Sequence, residues 1–228
     1  MNSSLLARLR LFQIASPSLP IGAFTYSQGM EWAVECGWLR TADDTQAWLN
    51  AALDETLGYL ELPIMSRLYR TLEADDPQQF YHWSQYLLAS RETAELRMEE
   101  CQRAQAFYDV LYKLPDADKA QLEIYREGLL TSQSAGFVFA AAQWAVPLDE
   151  LLAGYAWGWL ENGVNAAIKL VPLGQSAGQA LLFQLSEKIP AIITSAQTIE
   201  DDALGASTPA LAIASSLHET QYCRLFRS

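Results

Sequence analysis

Residues 147–160 read PLDELLAGYAWGWL, and this stretch indicates the fold class of the chain. Apolar side chains recur at positions 148, 151, 152, 155 and 159, which is the spacing of one face of an α-helix. Asp149 and Glu150 lie in its first turn, where the helix dipole favours negative charge. A glycine within a helix costs about 1 kcal/mol relative to alanine, so we expect the glycines here to permit close helix packing. These glycines are Gly154, Gly158 and Gly163.

The same helical period continues through most of the chain. Thr41 and Asp44 form a capping-box pattern, which predicts a helical region reaching toward Leu72, bent near Pro63. Further helices are predicted at 5–14, after Asp76 and Pro77, at 90–113, as one or two helices at 122–144, at 174–185, and at 208–217 after Thr208 and Pro209. No β-rich alternation, repeat or linker interrupts the pattern. We therefore predict a single all-α domain over residues 1–228 with roughly nine or ten helices.

Composition excludes several classes of partner. The 228 residues are half hydrophobic, enough for a sizeable core, and carry a net charge of −12. Nucleic-acid affinity depends on clustered Lys and Arg, so no nucleic-acid partner is expected. No run is apolar enough to span a membrane. Three cysteines without CxxC spacing, and nothing resembling a signal peptide, favour a reducing cytoplasm.

Motifs for cofactor and metal chemistry are missing. No lysine completes a GxxxxGK phosphate loop, and neither His82 nor His218 belongs to a Glu-x-x-His pair. We expect no cofactor. A direct nickel carrier remains an alternative, but its candidate ligands are scattered and are expected to be packing or surface residues. These ligands are Cys36, His82, Cys101, His218 and Cys223.

One motif suggests a serine hydrolase. Residues 174–178 read GQSAG, which matches GxSxG with Ser176 as nucleophile, and Asp202 and His218 follow in the order of an α/β-hydrolase triad. A nucleophile elbow requires a preceding buried strand, whereas this motif lies in a helical neighbourhood. We therefore expect Gly174 to precede a helix and Gly178 to be a point of close packing.

Two further sets of side chains allow more than one interpretation. Glu95, Glu99 and Glu100 can bind a cation or a basic partner, but a solvated helix face near Arg97 and Arg103 is the expected arrangement. Four tryptophans can line a ligand pocket, but their helical spacing favours the core. They are Trp32, Trp38, Trp157 and Trp159.

Three stretches carry a family resemblance. Residues 16–39 read SPSLPIGAFTYSQGMEWAVECGWL, a proline-pinned polar loop that joins a helix. Residues 154–175 read GYAWGWLENGVNAAIKLVPLGQ, and residues 218–228 read HETQYCRLFRS. Together they resemble the signatures of the urease accessory protein F (UreF) family. Ala23 stands where a second glycine is common in that family, and Cys223 where serine is familiar.

The resemblance implies a function that composition does not reveal. UreF proteins are all-helical, dimeric, non-enzymatic cytoplasmic adaptors that act with UreD, also called UreH, and with the GTPase UreG. They promote nickel insertion into apo-urease and modulate the GTPase cycle. By this resemblance the partner-binding residues are Tyr26, Ser27, Gln28, Glu31, Lys169, Tyr222, Arg224, Leu225, Phe226 and Arg227.

The last ten residues, 219–228, which we call the tail, have a composition suited to binding. Apolar Tyr222, Leu225 and Phe226 alternate with Arg224 and Arg227, a pattern that can gain order by inserting into a groove of a partner. We expect the tail to be exposed and mobile in the free protein. The alternative is a segment docked permanently on its own domain.

Overall fold

A computed structural model describes residues 4–206 and 208–228 and is 73% helical. Within this described part no strand occurs, in agreement with the predicted fold class. Residues 1–3 and 207, which the predicted domain 1–228 includes, lie outside the described residues.

The helices follow one another along the chain with only short connections. They are α1 (Leu5–Ala15), α2 (Met30–Glu35), α3 (Ala42–Ala52), a π-helical segment (Leu53–Glu61), α4 (Leu62–Glu73), α5 (Pro77–Ala89), α6 (Ala94–Lys113), α7 (Lys119–Ile124), α8 (Arg126–Thr131), α9 (Gln133–Gln143), α10 (Leu148–Leu170), α11 (Gln175–Ser186), α12 (Ile189–Ala196) and α13 (Pro209–His218). Short 3-10 turns lie at Ala23–Thr25 and Asp201–Ala203.

The predicted first residues of α3 and α5 are confirmed by capping hydrogen bonds between neighbouring residues. Thr41 Oγ1 accepts from the backbone N–H of Asp44 at 3.2 Å, and Asp44 Oδ2 accepts from the N–H of Thr41 at 3.0 Å. Asp76 accepts from the N–H of Gln79 at 3.0 Å, with Pro77 in the first turn. Caps depend on neighbours in sequence, which makes them readable from sequence.

The helical region predicted to run past Pro63 does so, since α3, a π-helical segment and α4 follow one another without a break over residues 42–73. Proline has no N–H, so the carbonyl four residues earlier, that of Tyr59, loses its helical donor. The N–H of Gly205 donates to this carbonyl at 2.9 Å instead. The helix therefore continues past Pro63 while a distant loop satisfies the carbonyl.

Other differences arise from tertiary packing. The 122–144 region forms three helices, α7, α8 and α9, and α12 was not predicted. Trp32 and Trp159 pack against the core as expected, but Trp38 and Trp157 are 44% and 40% exposed, so their core placement was wrong. Helical spacing identifies a face but not what covers that face.

Helix α10 is packed as its glycines predicted, and its placement positions the site. A Cβ at Gly154 would lie 2.8 Å from Leu11 Cδ1, and one at Gly163 would lie 2.7 Å from Leu49 Cδ2. At Gly158 the Cβ would be 3.1 Å from the carbonyl oxygen of Ala15. Close approach of α1 and α3 to α10 therefore requires glycine. No helix among the described residues is long and apolar enough to cross a bilayer.

Candidate partner-binding site

The signature loop, residues 16–29, is fixed by backbone conformations that favour glycine. Gly22 and Gly29 have φ of +73° and +81°, and Gln28 between them has φ of +53°. A Cβ at Gly29 would lie 2.6 Å from the backbone nitrogen of Ser215 in α13. The loop therefore lies directly on the α13 backbone at a distance that only glycine permits.

The backbone of the tail is docked on this loop, which agrees with the alternative of a docked segment, while most of its side chains are exposed as expected. The N–H and Oγ of Ser27 both donate to the carbonyl oxygen of Ser228 at 2.7 Å. The N–H of Arg227 donates to the carbonyl of Thr25 at 2.8 Å. Phe226 and Ser228 are only 6% and 1% exposed. Composition suggested a loose segment because it does not reveal which acceptors of the domain form hydrogen bonds with the tail.

The acceptors that bind the tail are mainly carboxylates of the domain. Glu31 in α2 accepts from the N–H of Leu225 at 2.6 Å through Oε1 and from that of Phe226 at 2.8 Å through Oε2. Arg224 Nη1 donates to Glu95 Oε1 of α6 at 2.7 Å. His218, fully buried at the end of α13, lies between Glu31 and Glu95. We call Glu31, Glu95, His218 and Arg224 the tail clamp.

The predicted solvated face of α6 is buried, so that expectation was also wrong. Glu95, Glu99 and Glu100 are 8%, 4% and 3% exposed. Glu99 accepts hydrogen bonds from Gln28 at 3.2 Å, from Arg103 at 2.8 Å and from Ser228 Oγ at 3.1 Å. Burial raises the pKa of Glu99, although Arg103 opposes the shift. The i, i+4 spacing of Glu95, Glu99 and Arg103 was the signal that could have indicated a shared face.

Glu100, the next residue, points to a second acidic group inside the domain. Arg91 donates to Glu61 Oε1 at 2.8 Å and, through Nε and Nη2, to Glu100 Oε2 at 3.0 and 2.7 Å. Tyr155 OH donates to Glu61 Oε2 at 2.6 Å. Ser132 Oγ and the N–H of Gln133 donate to Glu100 Oε1. We call Glu61, Arg91, Glu100 and Tyr155 the core cluster.

Protonation in the core cluster follows from burial and charge. Burial alone would raise the pKa of Glu100, but Arg91 and the hydrogen bond from Ser132 lower it. Burial works against the charged form of Arg91, yet Glu61 and Glu100 hold its pKa well above the ordinary value. Burial and the same two carboxylates raise the pKa of Tyr155. The cluster thus holds charged Arg91 and Glu100 with a neutral phenol.

The outer rim of the site combines polar anchors with exposed apolar groups. Tyr26 OH donates to Gln102 Oε1 at 2.9 Å, and Lys169 Nζ lies 5.4 Å from the centre of the Phe226 ring. Tyr222 is 100% exposed and Leu225 is 67% exposed. The backbone of the tail is therefore held while these two side chains face outward. Such a surface can bind a partner.

The structure brings together most of the residues that the resemblance indicated. Tyr222, whose side chain is fully exposed, stands apart from the others. Those that meet at the loop and tail are Tyr26, Ser27, Gln28, Glu31, Lys169, Arg224, Leu225, Phe226 and Arg227. Sequence reasoning missed Gln102 and Ser228, and it singled out Glu95, Glu99 and His218 without placing them in this site.

The hydrolase motif is part of a helix start, as expected. Gly174 precedes α11, and a Cβ at Gly178 would lie 2.5 Å from Ile168 Cδ1. Ser176 is exposed. Both ring nitrogens of His218 face carboxylates of the tail clamp instead of a serine. The arrangement is that of a packed helix and not of a nucleophile elbow.

The scattered thiol and imidazole groups do not converge. Cys36, Cys101 and Cys223 are exposed free thiols, and His82 is exposed on α5. Across residues 4–206 and 208–228, no group of three or more His, Cys, Asp or Glu side chains has a geometry suited to a metal ion.

Known proteins similar to this chain share one family name. The family model UreF matches residues 39–186. Urease accessory protein UreF of Alcanivorax borkumensis is 54% identical, with both chains covered completely. The proteins of that name from Pseudomonas entomophila and Azoarcus sp. are 52% and 46% identical, covering 100% and 98% of this chain and 100% and 97% of their own length. The chain therefore belongs to the UreF family of urease accessory proteins.

Proposed function

We propose that this protein is a non-catalytic, cytoplasmic adaptor in urease maturation. It binds UreD (UreH), and together they recruit the GTPase UreG, modulate its GTPase cycle and promote nickel insertion into apo-urease. Membership of a family whose members are named urease accessory proteins supports this role. The adaptor has no cofactor of its own.

One observation supports the tail as the surface that UreD recognises. Its backbone is bound by Ser27 and Glu31, while Tyr222 and Leu225 remain exposed. A surface that is ordered before binding loses less conformational entropy in the complex than a mobile tail would lose. With Arg224 and Arg227 beside the two apolar side chains, the face suits an apolar pocket edged by carboxylates.

Size-exclusion chromatography with light scattering, on the chain co-expressed with its cognate UreD, tests this surface. Tyr222→Ala and Leu225→Ser are expected to abolish the complex without changing helicity, because both side chains face solvent. Phe183→Ser is the matched control, since Phe183 is 72% exposed on α11. A complex that survives both tail substitutions would contradict the assignment.

Recruitment of UreG is tested in the same system. UreG is expected to join the complex of the wild-type chain with UreD and to be absent when Tyr222 and Leu225 are substituted. The rate of GTP hydrolysis by UreG, measured with and without the complex and with apo-urease present, shows whether the cycle is modulated. An unchanged rate would remove the regulatory part of the proposal.

The protein also forms a homodimer in this proposal, through the outer face of α1. Leu5, Leu6, Leu9 and Phe12 are 74%, 62%, 53% and 66% exposed there. Beside them lies an apolar groove of about 800 Å³ that includes Trp157. Arg8 and Glu150, 3.7 Å apart, place both charge signs on this face, which suits two-fold contact with a second copy.

Light scattering on the isolated chain tests the dimer. Phe12→Asp places a charge within the apolar face and is expected to give monomers at concentrations where the wild type is dimeric. Phe183→Asp is the control, because Phe183 is equally apolar and exposed but does not line the groove. A dimer that tolerates Phe12→Asp would place the contact elsewhere.

A further inference from the structure

Glu161 is a half-buried carboxylate on the wall of the apolar groove beside α1. It lies on α10, about three turns beyond Glu150, which lines the same groove. Across residues 4–206 and 208–228, no hydrogen bond or ion pair reaches the side chain of Glu161. Burial raises the pKa of Glu161, and no neighbouring cation opposes the shift. A carboxylate packed against apolar surface is costly without a donor, so this position suits a donor from another chain.

The other wall of the groove, α1, supplies positive charge. Its sequence, LLARLRLFQIA, contains Arg8 and Arg10 but no Asp or Glu. Arg8 lines the groove with its side chain 45% exposed, and its Nε lies 3.7 Å from Glu150 Oε2, which is too long for a hydrogen bond. A guanidinium carries five N–H donors, so Arg8 can also bind a second carboxylate. Glu161 of the same chain is out of its reach, because it lies about 16 Å further along α10 than Glu150.

The register of α1 on α10 shows which part of α1 is level with Glu161. Arg8 lies beside Glu150. Ala15 lies against Gly158, so the two helices run in the same direction. Glu161 is therefore level with the end of α1, and residues 16 and 17, which follow α1, line that end of the groove. The groove thus has Arg8 at one end and Glu161 at the other.

A second copy of the chain can bring its own Arg8 to the Glu161 end. Phe12, which is 66% exposed, belongs to the outer face of α1 and also lines the groove. With a two-fold axis at Phe12 and the two α1 helices antiparallel, Arg8 of one copy faces position 16 of the other, which is the level of Glu161. A two-fold axis along the helices would instead bring the two Arg8 side chains together and leave both Glu161 carboxylates without a donor.

We propose that each groove binds α1 of a second copy in this antiparallel arrangement, and that Arg8 of each copy pairs with Glu161 of the other. Two equivalent pairs form, because an isologous contact uses the same surface on both copies. The pairs set the direction of the two α1 helices, while the apolar side chains supply most of the buried area. The inference rests on the proposed homodimer and specifies the charges that orient it.

Sedimentation velocity on the full chain, over a concentration series, measures the pairing. Glu161→Arg sets two arginines against each other at both ends of the contact, so we expect the dimer dissociation constant to rise at least about tenfold. Arg8→Glu sets two carboxylates together and is expected to weaken the dimer similarly. Glu127→Arg is the matched control, because it makes the same change in net charge on the exposed surface of α8, away from the groove. We expect it to leave the dissociation constant unchanged.

A mixture of the two charge-reversed variants tests the pairing between copies directly. Arg8→Glu and Glu161→Arg are each expected to be mainly monomeric alone and to form a heterodimer when mixed. In the heterodimer one pair has its charges exchanged and the other is the native pair, so both are attractive. A role of either residue within its own chain predicts no such recovery.

The outcomes separate this inference from the proposed function. The absence of a heterodimer from two variants of unchanged helicity would overturn the pairing, as would a Glu161→Arg dimer as strong as the wild type. If Phe12→Asp abolishes the dimer in those cases, the proposed homodimer face stands and only the pairing fails. A wild-type chain that stays monomeric throughout the concentration series would overturn both.

Discussion

Glu99 and Glu100 are neighbours on α6, yet they belong to two regions held together in different ways. Glu100 lies in the core cluster, where Arg91, Ser132 and the N–H of Gln133 complete its hydrogen bonds and its pKa is lowered. Glu99 lies beside the tail clamp, where burial raises its pKa and Ser228 of the tail is one of its donors. The hydrogen-bond partners in the core cluster come from the packed helices and the turns that join them. In the tail clamp the donors to Glu31 and Glu95 include Arg224 and the N–H groups of Leu225 and Phe226, all in the tail.

Similar chemistry serves two purposes in these two regions. In both regions a buried carboxylate requires donors, because an unpaired buried charge costs several kcal/mol. In the core cluster the hydrogen bonds and ion pairs to these carboxylates hold the helices together. In the tail clamp the hydrogen bonds to these carboxylates hold the backbone of the tail against the domain, although few of the tail's side chains are buried. Removing donors should therefore unfold the domain in the first region and release the tail in the second.

The largest effect is expected for Arg91→Met. It leaves Glu61 and Glu100 buried without their shared cation, at a cost of about 3–5 kcal/mol in the free energy of unfolding. Arg224→Met is the matched control, because Arg224 pairs with Glu95 but its side chain is 40% exposed. We expect it to change global stability by less than about 1 kcal/mol. Urea denaturation measures both, and similar losses would contradict the distinction between the regions.

The next effect concerns the loop on which the tail rests. Gly29→Ala combines a left-handed φ with a Cβ 2.6 Å from the Ser215 backbone, so we expect a loss of about 2–4 kcal/mol. Gly22→Ala has a similar φ of +73°, but its Cβ would have 3.8 Å of clearance, so about 1 kcal/mol is expected. Thermal unfolding compares the two. Equal losses of stability in the two variants would mean that the left-handed φ, and not the contact with Ser215, determines the cost.

A pair of substitutions on α6 sharpens the comparison between the two carboxylates. Glu100→Gln is expected to cost about 1–3 kcal/mol at neutral pH, and Glu99→Gln less, because the fold favours the charged form only at Glu100. A lowered pKa gives stability that is present above the unfolded-state value of 4.5 and is lost as pH falls through the folded-state pKa. The cost of Glu100→Gln should therefore shrink in acid.

For Glu99 the sign is opposite. A raised pKa means that the charged form weakens folding at neutral pH and that protonation relieves this penalty as pH falls. Unfolding free energies of wild type, Glu99→Gln and Glu100→Gln across the acidic range provide the measurement. A Glu99→Gln variant less stable than Glu100→Gln at neutral pH would reverse the assignment of the two regions.

The smallest global effect is expected for Glu31→Gln. The neutral amide accepts more weakly from the Leu225 and Phe226 amides, so opening of the tail should increase at least about tenfold, with global stability changed by less than about 1 kcal/mol. Hydrogen exchange of the two amides, with urea denaturation as control, separates local from global opening. A matching loss in both would make the tail part of the cooperative core.

Much of the fold was readable because local interactions define it. The capping box at Thr41, the start at Pro77 and the glycines of α10 depend on neighbours in sequence or on helical period, and all were confirmed. The hydrogen bond near Pro63 was not readable, since the donor to the Tyr59 carbonyl comes from the distant Gly205. Likewise the exposure of Trp38 and Trp157 depends on which faces remain uncovered.

The all-α class, the family and most residues of the candidate site could be predicted from the amino-acid sequence, because periodicity, caps and the three signature stretches are local patterns. Docking of the tail, and the presence of Glu95, Glu99 and His218 in its site, became visible only in the folded arrangement. These contacts join residues more than 100 positions apart. Their physical basis is the need of buried carboxylates for donors, and only the folded arrangement reveals which carboxylates are buried.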